Sequence, residues 1–180
     1  IAGKLFQRNL TVGLDLIALN IQRGRDHGLG SYVASRKVCG FGEARDFDDL
    51  AKSIHPNILN RLRTVYKHVS DIDLFVGLLA ERPLKGAQVG PTLACILGDQ
   101  FLRLKKGDRF WFENKSGPGA FTTEQLREIH KVSLARVLCD TVLEMRSIQR
   151  WPFNMESSYN PEMQCDSQCI PSLDISHWKE

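Results

Sequence analysis

LDLIALNIQRGRDHGLGSY, Leu14 to Tyr32, changes character halfway along. Leu16, Ile17, Ala18, Leu19 and Ile21 make an apolar start, and residues 14–21 read as a buried helix. Arg23, Arg25, Asp26 and His27 then crowd around Gly24 and Gly28, with Gly30 close behind. Glycines this dense break a helix. Asn20 lies inside the apolar run. A buried amide must find partners or cost on the order of 1–3 kcal/mol, so Asn20 is either a register-fixing core polar group or the support of a ligand. Arg23 follows three residues later, on the same helix face, and a guanidinium there can hold a carboxylate in a bidentate contact. An amide and a cation facing one way suit an anionic, largely apolar ligand. His27 invites a reading as metal ligand or base. The pattern favours a structural network instead, with Arg23, Arg25, Asp26 and His27 satisfying one another where the helix ends.

Outward from this stretch, the chain has the composition of a globular domain with its own core. It has 180 residues, 42% hydrophobic and 25% charged. A net charge of +3 argues against a nucleic-acid or membrane surface, and no apolar run is long enough to span a bilayer. The opening IAGKLFQRNLTVG has neither a signal-peptide pattern nor an initiator Met, so a processed product or a piece of something longer is expected. CDSQC, Cys165 to Cys169, resembles half a zinc site with His177 beyond it, but no second close pair completes four ligands. Disulfides plus one leftover thiol is the preferred reading of the five cysteines. Sequons at Asn9 (NLT) and Asn114 (NKS) lean with them toward glycosylation and a secreted or luminal protein.

Helix signals dominate the rest. Acids open RDFDDLAKSIH and DIDLFVGLLAE, where a helix dipole favours them. Pro56 and Pro91 suit first helical turns. Ala94, Leu97, Phe101 and Leu104 form one stripe expected to face the core, ended by Gly107. Thr122 with Gln125 fits a capping box, and Ser133 is expected to start a helix through Leu143. From Trp151 onward the chain reads as an irregular, stapled tail. The fold class is mainly α. No H-E-x-x-H, G-x-S-x-G or phosphate-loop pattern occurs, and His55, His68 and His130 read as solvated surface residues.

The stretch Leu14–Tyr32 resembles a signature of the animal (myeloperoxidase-like) haem peroxidases. The resemblance continues through KVCGFGEARDFDDL, through Ile72 to Asn114, through FTTEQLREIHKVSLARVLCDT, and on to IPSLDISHWKE. It implies a mostly helical fold around buried haem. It also implies a secreted enzyme that reduces hydrogen peroxide while oxidising halide, thiocyanate or phenolic donors. By this likeness Asn20 accepts a hydrogen bond from the proximal histidine, Arg23 contacts a haem propionate, and Leu16 and Leu19 belong to the apolar proximal wall. Cys39 and Cys95 match one disulfide. Cys139 opens a second, with Cys165 expected as its partner and Cys169 near enough to compete. One departure is Gly30, where many members have proline.

The proximal histidine, the distal histidine and arginine, the acids that esterify haem and the calcium loop belong upstream of this signature. Residues 1–180 are therefore expected to be the carboxyl-terminal portion of a haem peroxidase domain. They would support the proximal side, with no iron ligand or calcium site of their own and no activity alone. The expected partners are haem, peroxide, small donors and the rest of the parent chain, with no nucleic acid and no membrane span. The alternative is a non-catalytic, peroxidase-like adhesion module.

Overall fold

Helices form where the sequence supplies a cap next to an apolar stripe. The computed structural model describes residues 1–9 and 11–179. Among these it contains α1 (Leu16–Asp26), α2 (Tyr32–Val38), α3 (Pro56–Val65), α4 (Leu74–Ala80), α5 (Pro91–Gly107), α6 (Thr123–Ile129) and α7 (Leu134–Thr141). Strands β1 (Ser147–Gln149) and β2 (Glu162–Gln164) pair antiparallel, with Ile148 opposite Met163. Asp15 caps α1 by accepting from the amides of Ile17 and Ala18, and Ser31 caps α2. Thr122 and Gln125 bond reciprocally at the start of α6. Each cap satisfies amides that a helix start leaves without intrahelical acceptors.

Residues 1–104 form one compact unit and residues 105–180 another. The core of the first gathers Tyr32, Leu50, Ile54, Val69 and Ile72, all fully buried. Here α2 packs on α4 so closely that a Cβ on Gly77 would lie 2.1 Å from Tyr32 Cγ. The buried Glu81 carboxylate accepts from Tyr32 Oη at 2.7 Å, Thr92 Oγ1 at 2.6 Å and the Thr92 amide at 2.9 Å. It thereby places negative charge at the first turn of α5. A disulfide joins Cys39, at the end of α2, to Cys95 on α5.

The second unit packs α7 on β1 around Ala135, Ile148 and Ile170. A disulfide joins Cys139 to Cys165, and Cys169 remains an exposed thiol. Arg136 donates to the carbonyls of Cys165 and Ile170 while paired with Asp140. The tail is anchored by Glu128, which accepts from the Asp174 amide. Buried Asn160 bonds the backbone of Trp151, Asn154 and Met155.

Four expectations change. Helix α1 has no buried residue, because it packs on α4 along one side and its remaining apolar surface stays open. Leu97, Phe101 and Leu104 are exposed rather than core, since nothing within the described residues covers that face of α5. Helix α7 stops at Thr141 because Val142 is extended, and the tail contains a hairpin strand.

Candidate functional site

The end of α1 is built by a glycine at the one position that needs it. Gly28 has φ +62°, its amide reaches Arg25 O and the Leu29 amide reaches Gly24 O. These paired bonds form a Schellman ending, which turns the chain from α1 toward Ser31 and α2. The last turns of α1, this bend and the start of α4 enclose a cavity of about 500 Å³. Asn20, Ile21, Arg23 and Gly24 line one side, Leu29 and Ser31 the bend, and Ile72, Leu74, Phe75 and Leu78 the other. The volume is typical of a small-molecule or cofactor site.

Asn20 is half-buried and Arg23 exposed at this cavity, and among the described residues neither side chain has a hydrogen-bond or ion-pair partner. Leu16 and Leu19 share their helix stripe one turn earlier but are not part of the lining, and Leu19 is open to the surface.

The charges around His27 do not satisfy one another as the sequence suggests. Arg25 Nε and Nη2 grip Asp73 Oδ1 and Oδ2 at 2.9 and 2.7 Å. Asp26 instead accepts from Gln22. His27 lines the cavity rim with Nδ1 2.9 Å from Arg23 O. The Arg25–Asp73 pair ties α1 to the start of α4, and Tyr66 Oη adds a 2.8 Å bond to Asp73. Hydrogen bonding to Arg25 holds the Asp73 carboxyl below its ordinary range against the opposing effect of burial, with Tyr66 helping. Asp73, Tyr66, Phe75 and Leu78 were not singled out from sequence. The only signal was the acid at the start of DIDLFVGLLAE, and Asp73 turns that carboxylate to Arg25 instead of capping α4.

The other histidines have local roles. His55 and His68 accept amide hydrogens at helix starts. His130 meets the Phe112 ring edge-on, its Nε2 3.9 Å from Glu113. Cys165 is bonded to Cys139 and so cannot be a zinc thiolate with Cys169 and His177. Asn9 is exposed, while Leu10 of its sequon lies outside the described residues. Asn114 Nδ2 donates to the carbonyls of Asp108 and Arg109.

The family model for animal haem peroxidases matches residues 1–153. The chain belongs to the animal haem peroxidase family. A peroxidase of Drosophila melanogaster is 43% identical over 97% of this chain and 25% of its own length. A human peroxidasin homologue is 41% identical over 98% of the chain and 12% of its own. This haem peroxidase chain thus spans a quarter or less of these relatives. Peroxidase A of Dictyostelium discoideum shares its structure with a TM-score of 0.58 and 39% identity, over 73% of this chain and 24% of that one. No helix among the described residues is long and apolar enough to cross a membrane.

Proposed function

We propose that this chain forms the proximal wall of the haem site in a secreted peroxidase. The supporting observation is the pairing of an unpartnered amide, Asn20, with an unpartnered guanidinium, Arg23, on one apolar cavity. Haem would need such a set: apolar walls for its ring, a cation for a propionate and an acceptor for the N–H of the imidazole that would ligate its iron. These residues fit it. Ile21, Leu74, Phe75 and Leu78 supply the wall nearest Asn20 and Arg23, and Leu16 and Leu19 extend the apolar surface.

In this reading Arg23 holds a propionate carboxylate by charge-assisted hydrogen bonds. Asn20 accepts the N–H of an iron-ligating imidazole that comes from the rest of the parent domain, residues 1–180 being its carboxyl-terminal part. That bond fixes the ring's orientation and makes it a stronger donor to iron. When bound, haem supplies the reduction of hydrogen peroxide and the oxidation of halide, thiocyanate or phenolic donors. Calcium belongs to the parent protein, outside this chain. Asn9 and Asn114 are the glycan acceptors, and the two disulfides fit an oxidising compartment.

The test is haem capture by the haem-free parent peroxidase, read before any ester link to haem forms. Arg23→Gln removes a charged hydrogen bond worth about 1.5–3 kcal/mol, so the haem concentration for half-loading should rise roughly 10- to 150-fold. An unchanged loading curve contradicts the assignment.

A further inference from the structure

We propose that Tyr32 and Glu81 form a buried one-electron relay behind the cavity, in which Tyr32 yields an electron toward the cavity as its phenolic proton passes to Glu81. The proposal rests on the haem-peroxidase reading, which supplies the oxidant: haem that has reacted with peroxide. The step balances. The Tyr32 O–H bond breaks, its proton moves along the existing 2.7 Å hydrogen bond to Glu81 Oε1, and its electron goes to the oxidised haem. An electron returned by a small reducing donor reverses both transfers.

Four observations carry this. Tyr32 is fully shielded from solvent, which protects a radical from quenching. Its ring lies against the α4 backbone at Gly77, next to the lining residue Leu78. Its own chain neighbours Ser31 and Gly30 line the cavity, and its amide donates to the carbonyl of Ile72, another lining residue. Finally, Glu81 is a proton acceptor in waiting. Its oxygens accept from the Tyr32 hydroxyl, the Thr92 hydroxyl and the Thr92 amide. None of them is a cation, and Arg36, the nearby guanidinium, bonds Gly42 and Ser53 instead.

Tyr66 lacks this arrangement, because its acceptor Asp73 is already held ionised by Arg25. Burial, reinforced by the bond to Glu81, also pushes the Tyr32 phenol well above its usual range, so losing the electron requires a base to take the proton.

Freeze-quench electron paramagnetic resonance of the haem-loaded parent peroxidase mixed with hydrogen peroxide tests the relay. The chain has three tyrosines, Tyr32, Tyr66 and Tyr159. A tyrosyl signal is expected that Tyr32→Phe abolishes and that Tyr66→Phe and Tyr159→Phe leave in place. Glu81→Gln keeps an acceptor but no base, and should strongly lower the signal. A merely structural Tyr32 would leave the spectrum unchanged, since phenylalanine keeps the ring packed on Gly77. The same signal in Tyr32→Phe, or no tyrosyl signal from a sample that consumes peroxide, overturns the relay.

Flash photo-oxidation of the haem-free parent peroxidase, with and without Tyr32→Phe, separates the two readings. A radical there that Tyr32→Phe removes, from a parent whose haem form ignores peroxide, leaves the Tyr32–Glu81 couple standing and removes the peroxidase reading. No Tyr32-dependent radical in that flash experiment overturns the relay itself.

Discussion

Asp73 shows how far a single residue's role can lie from its sequence neighbourhood. Its carboxylate is held ionised by Arg25, 48 residues away. Because its folded pKa lies below the unfolded value of about 3.9, its contribution is complete above that value and is lost as pH falls through the folded pKa. Urea titrations from neutral pH down to about pH 3 should therefore show the wild type losing stability more steeply than Asp73→Asn, which starts lower. Parallel curves would remove this role. Gly77→Ala should cost at least about 1–3 kcal/mol, as overpacking does, because its methyl would meet the Tyr32 ring. Calorimetry of that variant reads the loss directly, and an unchanged transition would contradict the packing. That Asn20 and Arg23 share one cavity wall was legible, because a three-residue spacing places them on one helix face. Asp73 was not, because nothing local distinguishes an acid that caps its own helix from one that reaches another.

At the scale of elements, caps and breakers were the readable part. Pro56, the Thr122–Gln125 pair, Ser133 and Gly107 all mark ends that the structure has, since these signals are satisfied within one turn. Burial was not readable. The stripe on α5 and the start of α1 are apolar enough for a core, yet a stripe says only that a partner exists, not that it lies in the same chain. The cysteine pairing was open between Cys165 and Cys169 until Arg136 and β2 positioned Cys165 against α7. The two disulfides close loops with separations of 56 and 26 residues. Loop-closure entropy then assigns roughly 4 kcal/mol to Cys39–Cys95 and roughly 3.5 kcal/mol to Cys139–Cys165. Denaturant midpoints of the paired alanine variants should fall in that order, and the reverse order would show that native contacts, not chain entropy, set the cost.

For the whole molecule, an open apolar α1, a cavity beside it and an amide and guanidinium without partners among the described residues support the proposal that this chain is one wall of a larger site. This chain covers only 25% of the Drosophila melanogaster peroxidase and 12% of the human peroxidasin homologue. The purified 180-residue chain should accordingly give no native-like Soret band with haem and no peroxide turnover above a free-haem control. The central claim is that Asn20 orients the iron's axial imidazole, and the resonance Raman iron–imidazole stretch of the haem-loaded parent peroxidase reads that bond directly. Asn20→Asp, a stronger acceptor, should raise its frequency, Asn20→Leu should lower it, and His27→Gln should leave it in place. A stretch that ignores both Asn20 variants, or that disappears with His27, would contradict the account.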